Sequence, residues 1–213
     1  MKYSLLWALA LLLAARPVAV AQPTGPARNL DVAAHQQSVA VFQHTLNQEF
    51  LNPAESPLTA PERQAFQTLP YYPTSYAYYV EAQLVRDSTS RPFAMQTSTA
   101  RRPTYRKYGE LRFVLNGQPL TLSVYQSQEL LGRPDLADYL FVPFTDLTNG
   151  HETYGGGRYL DLRIPPAGAT TIPIDFNRAY NPSCAYNHGY SCPVPPAENR
   201  LPVAIPVGVK SPH

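Results

Sequence analysis

The chain has 213 residues, with 17 Lys and Arg against 15 Asp and Glu. Lys2 and Arg16 account for the excess, so the chain beyond residue 21 is formally neutral and lacks the sustained basic face that nucleic-acid binding requires. The short cluster Arg101-Arg102 with Arg106-Lys107 reads as solvated loop charge, and no low-complexity linker divides residues 31–213, which are expected to form a single β-rich domain.

Residues 1–21 carry the three parts of a secretory signal peptide: Lys2, an apolar run from Leu5 to Ala15, and the small-residue cleavage signal Ala19-Val20-Ala21. Arg16 and Pro17 interrupt that run well short of the ~20 residues that span a bilayer, and no later stretch is apolar for long enough. The mature chain is therefore expected to be soluble, without a transmembrane segment, and exported to the periplasm or beyond the cell. No cysteine lies near the cleavage point, which argues against a lipid anchor, and residues 22–30 read as a flexible tail.

From Asp31 to Leu51, Val32, His35, Val39, Phe42, Leu46 and Phe50 recur at spacings of three and four, the mark of a helical face, with Asp31 as its cap and Pro53 beyond its end. Thr59-Ala60-Pro61-Glu62 has the spacing of a capping box, predicting a second helix that continues to Leu69. Period-two alternation with aromatic and branched residues then predicts strands at 76–85, 109–115, 120–126, 140–144 and 158–164. Asn116-Gly117 supplies the positive φ of a tight hairpin between the second and third of them. Residues 200–208 read as an edge strand, because Pro202 and Pro206 cannot donate to a ladder. Many of the chain's 23 prolines fall between 165 and 212, which predicts extended loops there. The expected fold is mainly β, an antiparallel β-sandwich or open barrel with one or two N-terminal helices, α+β in class.

The segments "FVPFTDLTNGHETYGGGRYLDL" at 141–162, "IDFNRAYNPSCAYNHGYSCPVPPAENRLPVAI" at 174–205 and "TSTARRPTYRKYGELRF" at 97–113 resemble the domain of unknown function 1684 family of bacterial proteins. The resemblance extends over about residues 31–210 and implies no activity. Two departures stand out: Asn181-Pro182-Ser183-Cys184 where the family pattern usually has Asn-Pro-Tyr-Cys, and Val207-Gly208-Val209 where it usually closes with Ala-Gly-Glu. Any chemistry of that terminal glutamate is closed to Val209.

Two polar clusters are candidates for a site. In the first, Gly155-Gly156-Gly157 permits close backbone approach while Glu152, Tyr154, Arg158, Tyr159 and Asp161 supply charge, a guanidinium fork and aromatic faces. The second brings Asp175, Asn177, Tyr180 and Asn181 together on a loop. Both have a structural reading as well: the first as a demanding turn, the second as a capped loop, and the arginines as fasteners between them. The glycines lack the Lys-Ser/Thr that a phosphate loop needs. His151, Glu152, Asp161, Asp175 and His188 are ligand types in no compact metal motif, so neither metal nor cofactor is expected. Cys184 and Cys192, in an exported protein, predict a disulfide. Most tyrosines, including those at 71, 72, 76, 78 and 79, read as packing with satisfied hydroxyls, with a sugar-stacking platform as the alternative use of the same rings.

The expected function is an envelope binding module that takes a small polar ligand or glycan through loops 149–162 and 175–187. The alternative is a hydrolase in which Glu152 or Asp175 activates water, although no nucleophile elbow, zincin helix or Ser/His/Asp arrangement is present. A third reading makes the loops pure scaffold.

Overall fold

A computed structural model describes residues 32–212; the signal peptide, the 22–30 tail and the Asp31 cap lie outside them. The first helix, α1, runs Val32–Leu51 and turns His35, Val39 and Phe50 inward, while Phe42 and Leu46 are half-buried and Val32 is exposed. Helix α2 is Ala60–Ala65, shorter than expected. The Glu62 carboxylate accepts from the Thr59 backbone N–H at 2.8 Å and from its hydroxyl at 2.6 Å. The helix stops because Phe66 is extended and stacks on Phe50, with ring centroids 5.5 Å apart.

Among the described residues seven strands follow: β1 Tyr79–Arg86, β2 Phe93–Ala94, β3 Thr104–Leu115, β4 Gln118–Ser127, β5 Tyr139–Phe144, β6 Arg158–Arg163 and β7 Thr171–Asp175. They form one sheet in the order β6-β5-β4-β3-β1-β7, with β2 added to β3, and every strand pair is antiparallel. The β3–β4 turn has Asn116 at φ 52° and Gly117 at φ 78°, the geometry the dipeptide predicts. A bulge between Lys107 and Gly109 bends β3, and a Cβ on Gly109 would run into the Val85 carbonyl. The sheet curls until its two edges approach: Tyr159 in β6 and Tyr180 just beyond β7 exchange backbone hydrogen bonds of 2.9 and 3.1 Å. The result is a half-barrel.

Three expectations are corrected. Residues 76–78 form a 3-10 turn rather than the start of β1. Strands β2 and β7, too short or too proline-interrupted to show an alternation, were not expected. Residues 200–208 make no strand; they meet the sheet by isolated bridges and loop hydrogen bonds, as Thr145↔Arg200 illustrates.

The inner face of the curl holds the main core, with Leu111, Leu122, Val124, Leu140, Val142, Leu160, Ile174 and Phe176 fully or almost fully buried. Alternation sends Tyr125, Phe141 and Tyr159 to the opposite face, where Met95, Cys184 and Cys192 pack on them. A third cluster, Phe50, Leu69 and Val209, seats the first helix. Among the described residues no helix is long and apolar enough to cross a membrane.

Candidate functional site

Most of the polar density expected to form a site is spent holding the fold. Arg158 shares its strand face with Leu160 and enters the end of the core with no exposed surface. Its Nη2 donates to Asp146 Oδ2 and to the Ile205 carbonyl, both at 2.8 Å, and its Nη1 to the Val207 carbonyl at 2.5 Å. Asp146 Oδ1 accepts from the Thr148 hydroxyl at 2.6 Å and the backbone N–H groups of Thr148 and Ile205. This buried pair ties the 146–158 loop to the C-terminal segment, in the fastening role that arginine and carboxylate allow, but with Asp146 as the partner. The loop itself is a tight reversal: Gly150 and Gly157 have φ of 80° and 91°.

Asp175 is also engaged. Its Oδ1 accepts from the backbone N–H and side-chain amide of Asn177, and its Oδ2 faces His35 Nε2 at 3.1 Å and Arg178 Nε at 3.4 Å. His35 lies between the edges of Tyr76 and Tyr79, so this group fastens α1 to the sheet. Asn177 accepts from the Ser75 N–H and donates to the Ser75 carbonyl. Asn181 donates to Tyr186 Oη and to the Lys210 carbonyl. Glu152 is exposed, and its backbone carbonyl accepts from Ser211. Asn199, which the sequence reading did not single out, is fully buried and bonds both backbone groups of Ser123 and the Pro143 carbonyl.

Of the remaining predicted residues, Asp161 and Tyr180 meet on the outer face of β5 and β6, while Tyr154 packs nearby against Cys184. Here a cavity of about 350 Å³ is lined by Tyr105, Tyr139, Phe141, Tyr159, Tyr180 and Tyr190, with Cys192 in its wall. Asp161 sits beside it: Tyr139 and Tyr180 each donate a phenol to its Oδ1, at 2.7 and 2.8 Å. The carboxylate keeps a solvent-exposed edge, but the rings crowding it remove much of its hydration. Desolvation raises its pKa above the ordinary value of 3.8, outweighing the two phenols and Arg163, which lower it. Burial also pushes the Tyr105 phenol up to about 12 and raises those of Tyr139, Tyr159 and Tyr180. The phenols are thus neutral donors throughout the physiological range.

The disulfide expected between Cys184 and Cys192 is not formed; both are free, buried thiols. The Cys184 N–H points at Cys192 Sγ at 3.2 Å, and Tyr154 Oη lies 3.9 Å from Cys184 Sγ. Hydrogen bonding from the Cys192 thiol, with smaller help from Tyr154 and Ser98, lowers the Cys184 pKa to about 6 and raises that of Cys192. Among the described residues no three His, Cys, Asp or Glu side chains group so as to hold a metal ion.

The family described as Protein of unknown function (DUF1684) matches residues 64–210. The chain belongs to this family. A member-like fold is seen in the solution NMR structure of an uncharacterized protein from Haloarcula marismortui, 32% identical, which aligns over 84% of this chain and 96% of that one with a TM-score of 0.66. Comparison with the curated proteins finds no match. The DUF1684 match begins at Arg63's neighbour Gln64, so it takes in all seven strands, the aromatic cavity and both clamps' sheet partners, and leaves α1 outside.

Sequence reading reached Tyr159 and Tyr180 in the cavity wall and Asp161 beside it, but missed Tyr105, Tyr139, Phe141 and Tyr190. A signal was present: "YLFVPF" in β5 is apolar at consecutive positions, the mark of a strand covered on both faces.

Proposed function

We propose that this DUF1684 protein is a binding module for a small polar ligand or glycan, and that its site is the aromatic cavity beside Asp161. The observation that supports this reading is the combination of aromatic rings with one carboxylate that, among the described residues, makes no direct ion pair with an arginine or lysine. Rings stack on the apolar faces of a ligand, and the carboxylate accepts from its hydroxyls or meets its charge. Asp175 offers no such position, since both its oxygens are taken. Export through residues 1–21, proposed from the sequence, would place this site in the periplasm or outside the cell.

A hydrolytic role is favoured at one position only. A carboxylate whose pKa is raised is a better general base, and among the candidate carboxylates Asp161 has both that shift and a cavity beside it. A thermal-shift screen against saccharides, peptidoglycan fragments and small organic ions tests the binding reading: a stabilising ligand whose effect disappears in folded Asp161→Asn supports it, and a flat screen counts against it. Turnover of a screened ligand, abolished by Asp161→Asn, would establish the hydrolase instead.

A further inference from the structure

Charge and shape together narrow the ligand class, on the premise that the cavity beside Asp161 is the binding site. Six aromatic side chains line the cavity, and their arrangement presents rings from several directions: Phe141 and Tyr159 meet edge to face at 4.7 Å, and Tyr159 and Tyr180 at 5.8 Å. Tyr105 tilts against Phe141 at 5.7 Å. Such walls carry negative electrostatic potential on their ring faces, which attracts a diffuse cation and gives little to an anion.

The fixed charges point the same way. Among the described residues no basic side chain lines the cavity. The neighbouring guanidinium groups are occupied, Arg163 by Asp138 at 2.6 Å and Arg101 by Glu129 at 2.8 Å. Asp161 receives two neutral phenols and no direct ion pair, and Glu49 is close enough to add to the same negative field. A partly desolvated carboxylate without a direct ion pair is a standing electrostatic cost, and a ligand that brings a positive charge against it reduces that cost.

We propose that the cavity binds a methylated ammonium group, held among the rings of Tyr105, Tyr139, Tyr159 and Tyr180 and paired through space with the Asp161 carboxylate. Methyl groups satisfy the apolar walls, and the spread charge needs none of the hydrogen-bond acceptors that a primary ammonium would demand. A neutral sugar of the same size would leave the carboxylate without its counter-charge.

Choline and its uncharged carbon isostere 3,3-dimethyl-1-butanol separate charge from shape, and titration of the full chain by calorimetry reads both. Choline is expected to bind about tenfold more tightly than the isostere, and to lose about tenfold in Asp161→Asn and again in Tyr180→Ala. Phosphatidylcholine vesicles distinguish the source of the group: vesicle binding displaced by free choline assigns it to a lipid headgroup, whereas choline binding without vesicle binding assigns it to a free small molecule. Equal binding of the isostere, or choline binding untouched by Asp161→Asn, overturns the proposal. If methyl glucoside binds and choline does not, the inference falls while the binding-module reading stands; if no probe in the series or the wider screen binds, both fall.

Discussion

Replacing Arg158 by methionine removes the cation of a fully buried ion pair while keeping much of the side-chain volume. Asp146 would be left as a side chain with no exposed surface and without its partner, the Val207 carbonyl would lose its donor and the Ile205 carbonyl would keep only the Val207 N–H. Breaking a buried pair from one side costs about 3 to 5 kcal/mol, because the remaining charge is uncompensated. For a domain of this size that corresponds to a fall in Tm of roughly 6 to 20 °C. Urea denaturation of the wild type, Arg158→Met, Asp146→Asn and the double variant would measure it. The double variant is expected to cost less than the two single changes added, since neither buried charge then remains. Arg158→Lys keeps the charge but not the fork, and should recover only part of the loss. A cost for Arg158→Met below about 1 kcal/mol, or strict additivity in the cycle, would refute the view that this pair fastens the loop to the C-terminal segment.

Asp161→Asn should behave in the opposite way. The folded-state pKa of Asp161 is raised, so its ionisation opposes folding: stability falls as pH rises from the ordinary carboxylate value of 3.8 through the raised one. The asparagine variant is expected to be at least as stable as wild type at pH 7, with the difference disappearing below pH 3.8, as thermal melts across that range would show. Asp175→Asn should instead destabilise by about 1 to 3 kcal/mol, through weakened bonds to His35 and Arg178, without weakening any ligand that Asp161→Asn affects. The Cys184 thiol, lowered below its ordinary range by the Cys192 thiol, should alkylate ahead of Cys192, whose pKa is raised; peptide mapping after timed iodoacetamide labelling separates the two, and equal rates or faster labelling of Cys192 would refute the assignment.

How much of this was legible in the chain depends on the range of the interactions involved. Local chemistry was readable: the Thr59–Glu62 box, the Asn116-Gly117 hairpin and the alternation of β4 and β6 each rest on residues a few positions apart. The aromatic run at 76–78 misled because tyrosines suit a strand and a 3-10 turn equally, and the turn is set by the distant Asn177 bonding Ser75. Strand β7 hides because Pro173 breaks its pattern, although the partners it needs lie in β1.

The site shows the same division. Polar loops attracted notice because residues such as Arg158 and Asp175 are chemically versatile, yet their partners, Asp146 and His35, are chosen by the fold, the latter 140 positions away. The aromatic cavity draws Tyr105, Tyr139, Tyr159 and Tyr180 from three strands and a loop, and Tyr105 and Tyr139 alone read as ordinary packing. What marks them out is Asp161, the carboxylate to which Tyr139 and Tyr180 both donate, and no spacing in the sequence announces that meeting.

The central claim is that the ligand site is this cavity and that the other polar clusters are fasteners. An NMR titration of the folded protein with choline and with methyl glucoside, following backbone amides, tests it most directly. Shifts concentrated at Tyr105, Tyr139, Tyr159, Asp161, Tyr180 and Tyr190 are predicted for at least one probe. Shifts centred on His35, Asp175 and Arg178 or on residues 149–157, or none with either probe, would contradict it.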